Sequence, residues 1–225
     1  MRKYEALKNL LEQIIFLPMR LRTRARSHSR YKVRAQTLAT TRQALERLTK
    51  FNADSHRIVF NVGLYLLLLD QDLADFTDDL VCAIGDRRRA FLAKHEAVLL
   101  YEAAEDVTQL LGREFWDAVK ALGTSEEQLS RLKAVSSDLN QFWQTHREFL
   151  GTIRKALAAH REQNALRYLE SLEQLKPLEV MARAADLSGR LDRLLRVLTE
   201  ITLADSGPAS ILRDMVESGK KRRAG

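Results

Sequence analysis

The sequence predicts an all-α protein: an antiparallel bundle of four to five long helices with an added N-terminal basic helical hairpin. Three observations carry this. Apolar residues recur at i, i+3 and i+4 through most of the 225 residues. Only three prolines and nine glycines interrupt them. No run of alternating β-branched residues offers a strand. At 45% hydrophobic and 30% charged residues, the chain has the composition of a globular protein able to bury a core.

Leu7, Leu10, Leu11, Ile14 and Ile15 form the apolar stripe of a first helix, which Pro18 is expected to end or kink. Arg20, Arg22, Arg24, Arg26, Arg30, Lys32 and Arg34 follow, seven cations in 15 residues without an acid. As a helix this segment spreads charge around most of its circumference, which rules out full burial. The apolar stripe returns from Val33 through Leu38, Leu45 and Leu48. Residues 51–55, Phe-Asn-Ala-Asp-Ser, supply a loop and a helix cap. The main boundary is placed here, dividing a basic extension (1–52) from a helical bundle (53–206).

Residues 55–84 read as a strongly apolar helix with a possible break near Asp70 to Asp72. A helix over 87–111 stops at Gly112, and a shorter one over 114–122 stops at Gly123. Thr124 followed by Glu127 is a capping-box pattern for a helix extending to about residue 160. Further helices are expected near 164–175 and 178–204, the latter opening just after Pro177. Beyond Ser206-Gly207-Pro208, a region of residues 207–225 reads as a short helix and a disordered basic tail.

Charge is unevenly distributed. The net +7 divides into +10 for residues 1–50, +4 for Lys220 to Arg223, and −7 for residues 51–219. The basic character therefore belongs to the two ends, and polyanion binding is expected there rather than over the whole surface. Few aromatics interleave the Arg20–Arg34 segment, so phosphate contacts are expected and base stacking is not. An acidic protein is an alternative partner for it. Beside this polybasic run, the helix Leu7 to Ile15 reads as core or a dimer surface, or as an element lying on an anionic membrane.

Several chemistries lack their signatures. There is no phosphate-cradling glycine loop, no Gly-x-Ser-x-Gly, no His-Glu-x-x-His and no acidic calcium loop. Cys82 is the single cysteine and no Cys/His pair has zinc spacing, so neither a disulfide nor a cofactor is expected. The longest apolar run, Val59 to Leu69, is too short for the roughly 20 residues of a membrane span, so no integral membrane association is expected. Glu5 and Glu12 interrupt the apolar start, which does not read as a secretory signal; a reducing cytoplasm is the expected compartment.

What remains is a set of Arg/His pairs: Arg22 with His28, Arg88 or Arg89 with His95, and Arg154 with His160. The last lies late in a long helix within Phe149-Leu150-Gly151-Thr152-Ile153-Arg154-Lys155-Ala156-Leu157-Ala158-Ala159-His160-Arg161-Glu162. That segment resembles the signature of the HEPN superfamily, in which an Arg and a His four to six residues apart mark the active helix. Lys155 stands where a polar residue such as Asn is usual, and Glu162 where one subset carries Tyr. The resemblance covers roughly residues 55–204 and implies a four- to five-helix bundle, a homodimer and metal-independent RNase activity in a bacterial defence or toxin system. RNA is the implied substrate, with an antitoxin or acidic protein as a possible partner.

On an ideal helix Arg154 and His160 lie about 120° apart around the axis and roughly 9 Å along it. They converge only through the reach of the Arg or across a dimer. His160 continues the apolar stripe of Leu150, Ile153 and Leu157, and Arg147, Arg154 and Arg161 form a basic row beside it. The expected catalytic pair is Arg154 and His160, supported by Lys155 and Arg161, with Glu102 and Asp106 as orienting carboxylates. Phe115, Trp116, Phe142, Trp143 and His95 read as structural. The bland alternative for His160 is a packed interface histidine in a non-catalytic module.

Overall fold

The computed structural model describes residues 14, 15, 17–155, 170, 175–205 and 207–224. Among the described residues there are seven helices and no strand: α1 (Leu17–Lys50), α2 (Asp54–Cys82), α3 (Asp86–Leu110), α4 (Arg113–Ala121), α5 (Glu126–Ile153), α6 (Pro177–Asp205) and α7 (Pro208–Ala224). The helical class expected from periodicity is observed. The helix expected near 164–175 falls outside the described residues apart from residues 170 and 175.

Several local expectations need correction. The end or kink expected at Pro18 falls beside residue 16, which is outside the described residues; 14 and 15 are helical, and α1 runs from Leu17 unbroken through the basic segment to Lys50. Asp70 to Asp72 do not break α2, because Leu66, Leu69 and Leu73 hold its buried stripe through that point. The cap of α5 is shifted by one residue from the expected register. Ser125 N–H donates to Gln128 Oε1 at 3.1 Å and Gln128 N–H to Ser125 Oγ at 3.3 Å, while Thr124 Oγ1 donates to the Val119 carbonyl at 2.6 Å. Finally, α7 extends through the basic residues 220–223, so the tail expected to be disordered is helical.

The chain divides into two compact units. One comprises residues 1–33, 71–102 and 145–186; the other comprises 34–70, 103–144 and 187–225. The segment 1–52 is thus divided between them at residue 33, while the Asn52 turn, with φ 55°, connects α1 to α2. Asn is among the few residues that adopt this left-handed conformation readily.

In the first unit, Leu73, Leu80, Ala93, Ala97, Leu100, Leu150, Ile153, Val180 and Ala184 form the core. Ala93 and Ala97 are the small residues of α3 in this core. Glu96 is fully buried there: Thr77 Oγ1 donates to its Oε1 at 2.7 Å, and Oε2 finds no partner among the described residues. Burial raises its carboxyl above the usual glutamate range, the Thr77 bond opposing this.

In the second unit Val59, Val62, Leu66, Val107, Phe115, Leu132, Phe142, Leu187, Leu191, Leu194 and Ile201 are buried. Trp116 and Trp143, expected in the core, are only half-buried. Asp138 on α5 receives Arg190 at 2.7 Å and Arg193, and Arg131 binds Glu200 through two contacts of 2.5 and 3.0 Å, tying α5 to α6 at the rim of the apolar seam. Asp70 takes Arg34 Nη2 at 2.6 Å and the Ser188 hydroxyl at 2.6 Å, joining α1, α2 and α6.

Two stability predictions follow from this packing. Leu191 is 0% exposed, and Leu191→Ala is expected to lower unfolding free energy by about 2–5 kcal/mol in a urea titration. Leu178→Ala, at a side chain 78% exposed, should change it by no more than about 0.5 kcal/mol. For Glu96, a raised folded-state pKa means its favourable contribution is complete below the ordinary glutamate range and is lost as the pH rises through the folded value. Glu96→Gln is therefore expected to stabilise the protein near neutral pH by about 1 kcal/mol and to flatten that pH dependence.

Candidate functional site

The described part of the expected site is built where the end of α5 meets α3 in the first unit. Leu150 and Ile153 are buried, and Gly151 faces the Tyr101 ring. A Cβ at residue 151 would stand 3.3 Å from Tyr101 Cε2, so glycine permits an approach that any other residue would push back. Past Ile153, residues 154 and 155 continue in a wider π-type turn.

That turn presents Arg154 to two neighbours on α3. Its guanidinium carbon lies 5.1 Å from the centre of the Tyr101 ring, and its Nε lies 3.6 Å from Glu102 Oε1. The Arg154 and Glu102 side chains remain 39% and 52% exposed. An ion pair that open contributes under about 1 kcal/mol, and a cation over a ring adds about as much. Their effect is mainly orientation: the guanidinium is held over Tyr101 while still reachable from solvent. Lys155 and Arg147 are exposed.

Glu102 is thus brought to Arg154. Asp106 has a different partner and belongs to the other unit, where it accepts the Tyr65 hydroxyl at 2.6 Å. His160 and Arg161 lie outside the described residues. His95 is half-buried, its ring edge-on to Phe91 at 4.5 Å, and burial followed by the charge of Lys94 lowers its pKa.

The basic row of α1 divides by environment. Arg20 is only 7% exposed and donates toward the Ala83 carbonyl at 3.5 Å, and Arg34 is held by Asp70. Both were expected to face nucleic acid, and both are instead used in packing. Arg22, Arg24, Arg30 and Lys32 are exposed, while the side chain of Arg26 is outside the described residues.

A polar cluster that sequence reading missed lies in the second unit. Asp214 on α7 accepts the backbone N–H of Ser55 at 3.3 Å and of His56 at 3.0 Å, and its Oδ2 lies 2.8 Å from His56 Nδ1. The Ser218 hydroxyl donates to Asp214 Oδ1 at 3.3 Å and accepts Asp54 N–H at 3.4 Å. The first-turn donors of α2 are therefore capped from α7, 158 residues away, and not by the adjacent Asp54 and Ser55 alone. No local pattern signals a cap at that separation. An open pocket of about 430 Å³ borders the cluster, lined by residues including Asp54, Ser55, Arg113, Glu114, Asp117 and Ser218. His56 is 2% exposed, so the group is a structural clasp rather than an accessible Ser/His/Asp nucleophile. Burial alone would raise the Asp214 pKa, but the bonds from His56 and Ser55 outweigh it and lower the value. Among the described residues, no three His, Cys, Asp or Glu side chains group to hold a metal ion.

The chain matches no protein-family model, no curated protein and no solved structure.

Replacing Asp214 tests the clasp. Because its folded pKa is lowered, its stabilisation is complete above the ordinary aspartate value and is lost as the pH falls through the folded value. Asp214→Asn is expected to cost about 1–3 kcal/mol at neutral pH, and the variant should lack this part of the acid-side loss seen in parallel denaturant titrations.

Proposed function

We propose that the chain is a HEPN-like, metal-independent endoribonuclease of a bacterial defence or toxin–antitoxin system, acting as a homodimer in which Arg154 and His160 form a composite site. The observation that supports this reading is the presentation of Arg154. An otherwise flexible guanidinium lies over the Tyr101 ring and is tethered by Glu102, yet stays open to solvent. That is the geometry needed by a residue that meets a phosphate.

In this reading His160, titrating near neutrality, removes the proton from a ribose 2′-OH. The 2′-oxygen attacks the adjacent phosphorus, the bond to the 5′-oxygen breaks, and a protonated histidine returns a proton to that leaving oxygen. The products are a 2′,3′-cyclic phosphate and a 5′-hydroxyl. Arg154 stabilises the charge that grows on the phosphoryl oxygens, and Lys155 adds to the local positive field.

A second reading, a non-catalytic helical module binding RNA or an acidic protein, draws on the exposed Arg22, Arg24, Arg30 and Lys32. Incubation of purified protein with RNA in EDTA separates the two. Cleavage yielding cyclic phosphate ends is expected for the wild type, falling about 10²–10⁴-fold in His160→Ala and in Arg154→Ala. Cleavage that persists in His160→Ala rejects the catalytic assignment, and binding without cleavage supports the module.

A further inference from the structure

Alpha1 carries no continuous apolar stripe. Its packed line is polar: Arg20 reaches the Ala83 carbonyl, Ser27 bonds Asp78, and Arg34 pairs with Asp70, each seven residues from the last. The apolar residues of its first turns are turned outward. Leu17 is 52% and Leu21 58% exposed, and Leu21 lies about 100° around the axis from Arg20. Ile14 and Ile15, just before them, are 62% and 66% exposed.

We infer that this face docks peripherally on an anionic lipid surface. Leu17 and Leu21 lie about 40° apart around the helix; water penalises such exposed aliphatic side chains, and a membrane interface accommodates them. Charge selects the kind of interface. Arg22 and Arg24 flank Leu21, about 100° to one side and 60° to the other, so each can lie along the surface with its head group toward lipid phosphate. No acidic residue occurs between Glu12 and Glu46. A second copy docking symmetrically on this face would bring like charges together, and RNA would leave the aliphatic residues uncovered. Contact is confined to the surface, since among the described residues no helix is long and apolar enough to cross a membrane.

The inference stands apart from the ribonuclease reading, because its readout is vesicle partitioning and not RNA cleavage. The full chain is mixed with phosphatidylcholine vesicles, with or without phosphatidylserine, and the bound fraction is measured by flotation. Binding is expected only with phosphatidylserine, weakening as salt is raised. Leu17→Asp with Leu21→Asp should reduce partitioning by about tenfold or more. Arg22→Gln with Arg24→Gln should reduce it about twentyfold. Circular dichroism is expected to match wild type in both, since all four side chains are exposed. Equal binding to neutral vesicles, no binding, or unchanged partitioning of folded variants overturns the proposal. So does a change in RNA affinity or self-association without a change in partitioning.

Discussion

The fold depends on long apolar seams that leave each helix only one stable orientation. The clearest is on α6, where Val180, Ala184, Leu187, Leu191, Leu194, Leu198 and Ile201 step by three or four residues and are all buried. Such a stripe covers one side of a helix over about six turns and cannot be satisfied by a strand, whose inward residues recur every second position. Alpha5 carries a matching series, Leu129, Leu132, Leu139, Phe142, Leu150 and Ile153. Rim ion pairs such as Arg190 with Asp138 then fix lateral register, a smaller effect than burying the leucines themselves.

Alpha1 obeys a different rule, and the contrast explains its charge. A helix docked through Arg20, Ser27 and Arg34 gains specific hydrogen bonds and little hydrophobic burial. Only near its end, at Leu48, does the seven-residue line become apolar and buried. Because polar side chains occupy the packed line, the apolar residues of the first turns are left outside. This single choice both removes two arginines from the basic surface and creates an exposed aliphatic face next to those that remain.

The helices were legible because their signals are local. Periodicity located α2, α3, α5 and α6, and glycine, proline and Asn52 marked their ends within a few residues. The errors arose where two local solutions compete or where the partner is distant. Thr124 and Ser125 both suit a cap, and the choice fell to Ser125 when Thr124 bonded backward to Val119. The Asp214 clasp on α2 has no local signature, since its groups are brought together only by tertiary packing. The burial of Arg20 was equally hidden, because composition counts a cation without revealing which face it occupies. Of the candidate site, Arg154 and Glu102 were each singled out in the sequence, whereas their pairing, the Tyr101 ring and the close approach at Gly151 were not legible, since all depend on the crossing of α3 and α5.

The Arg154 arrangement is informative for how weak it is. A fully buried Arg–Glu pair would resist separation, because removing one partner strands the other charge in a low dielectric. Here both side chains are about half exposed and the closest approach is 3.6 Å, so the Coulomb attraction is strongly screened. A phosphate can compete for such a guanidinium by offering two charged oxygens where Glu102 presents one contact, exchanging a monodentate pair for a bidentate one. The contact with Tyr101 needs only the positive charge over the ring, so it does not depend on the Glu102 carboxylate. Glu102 and Tyr101 therefore orient Arg154 without burying it, and its charge stays open to solvent.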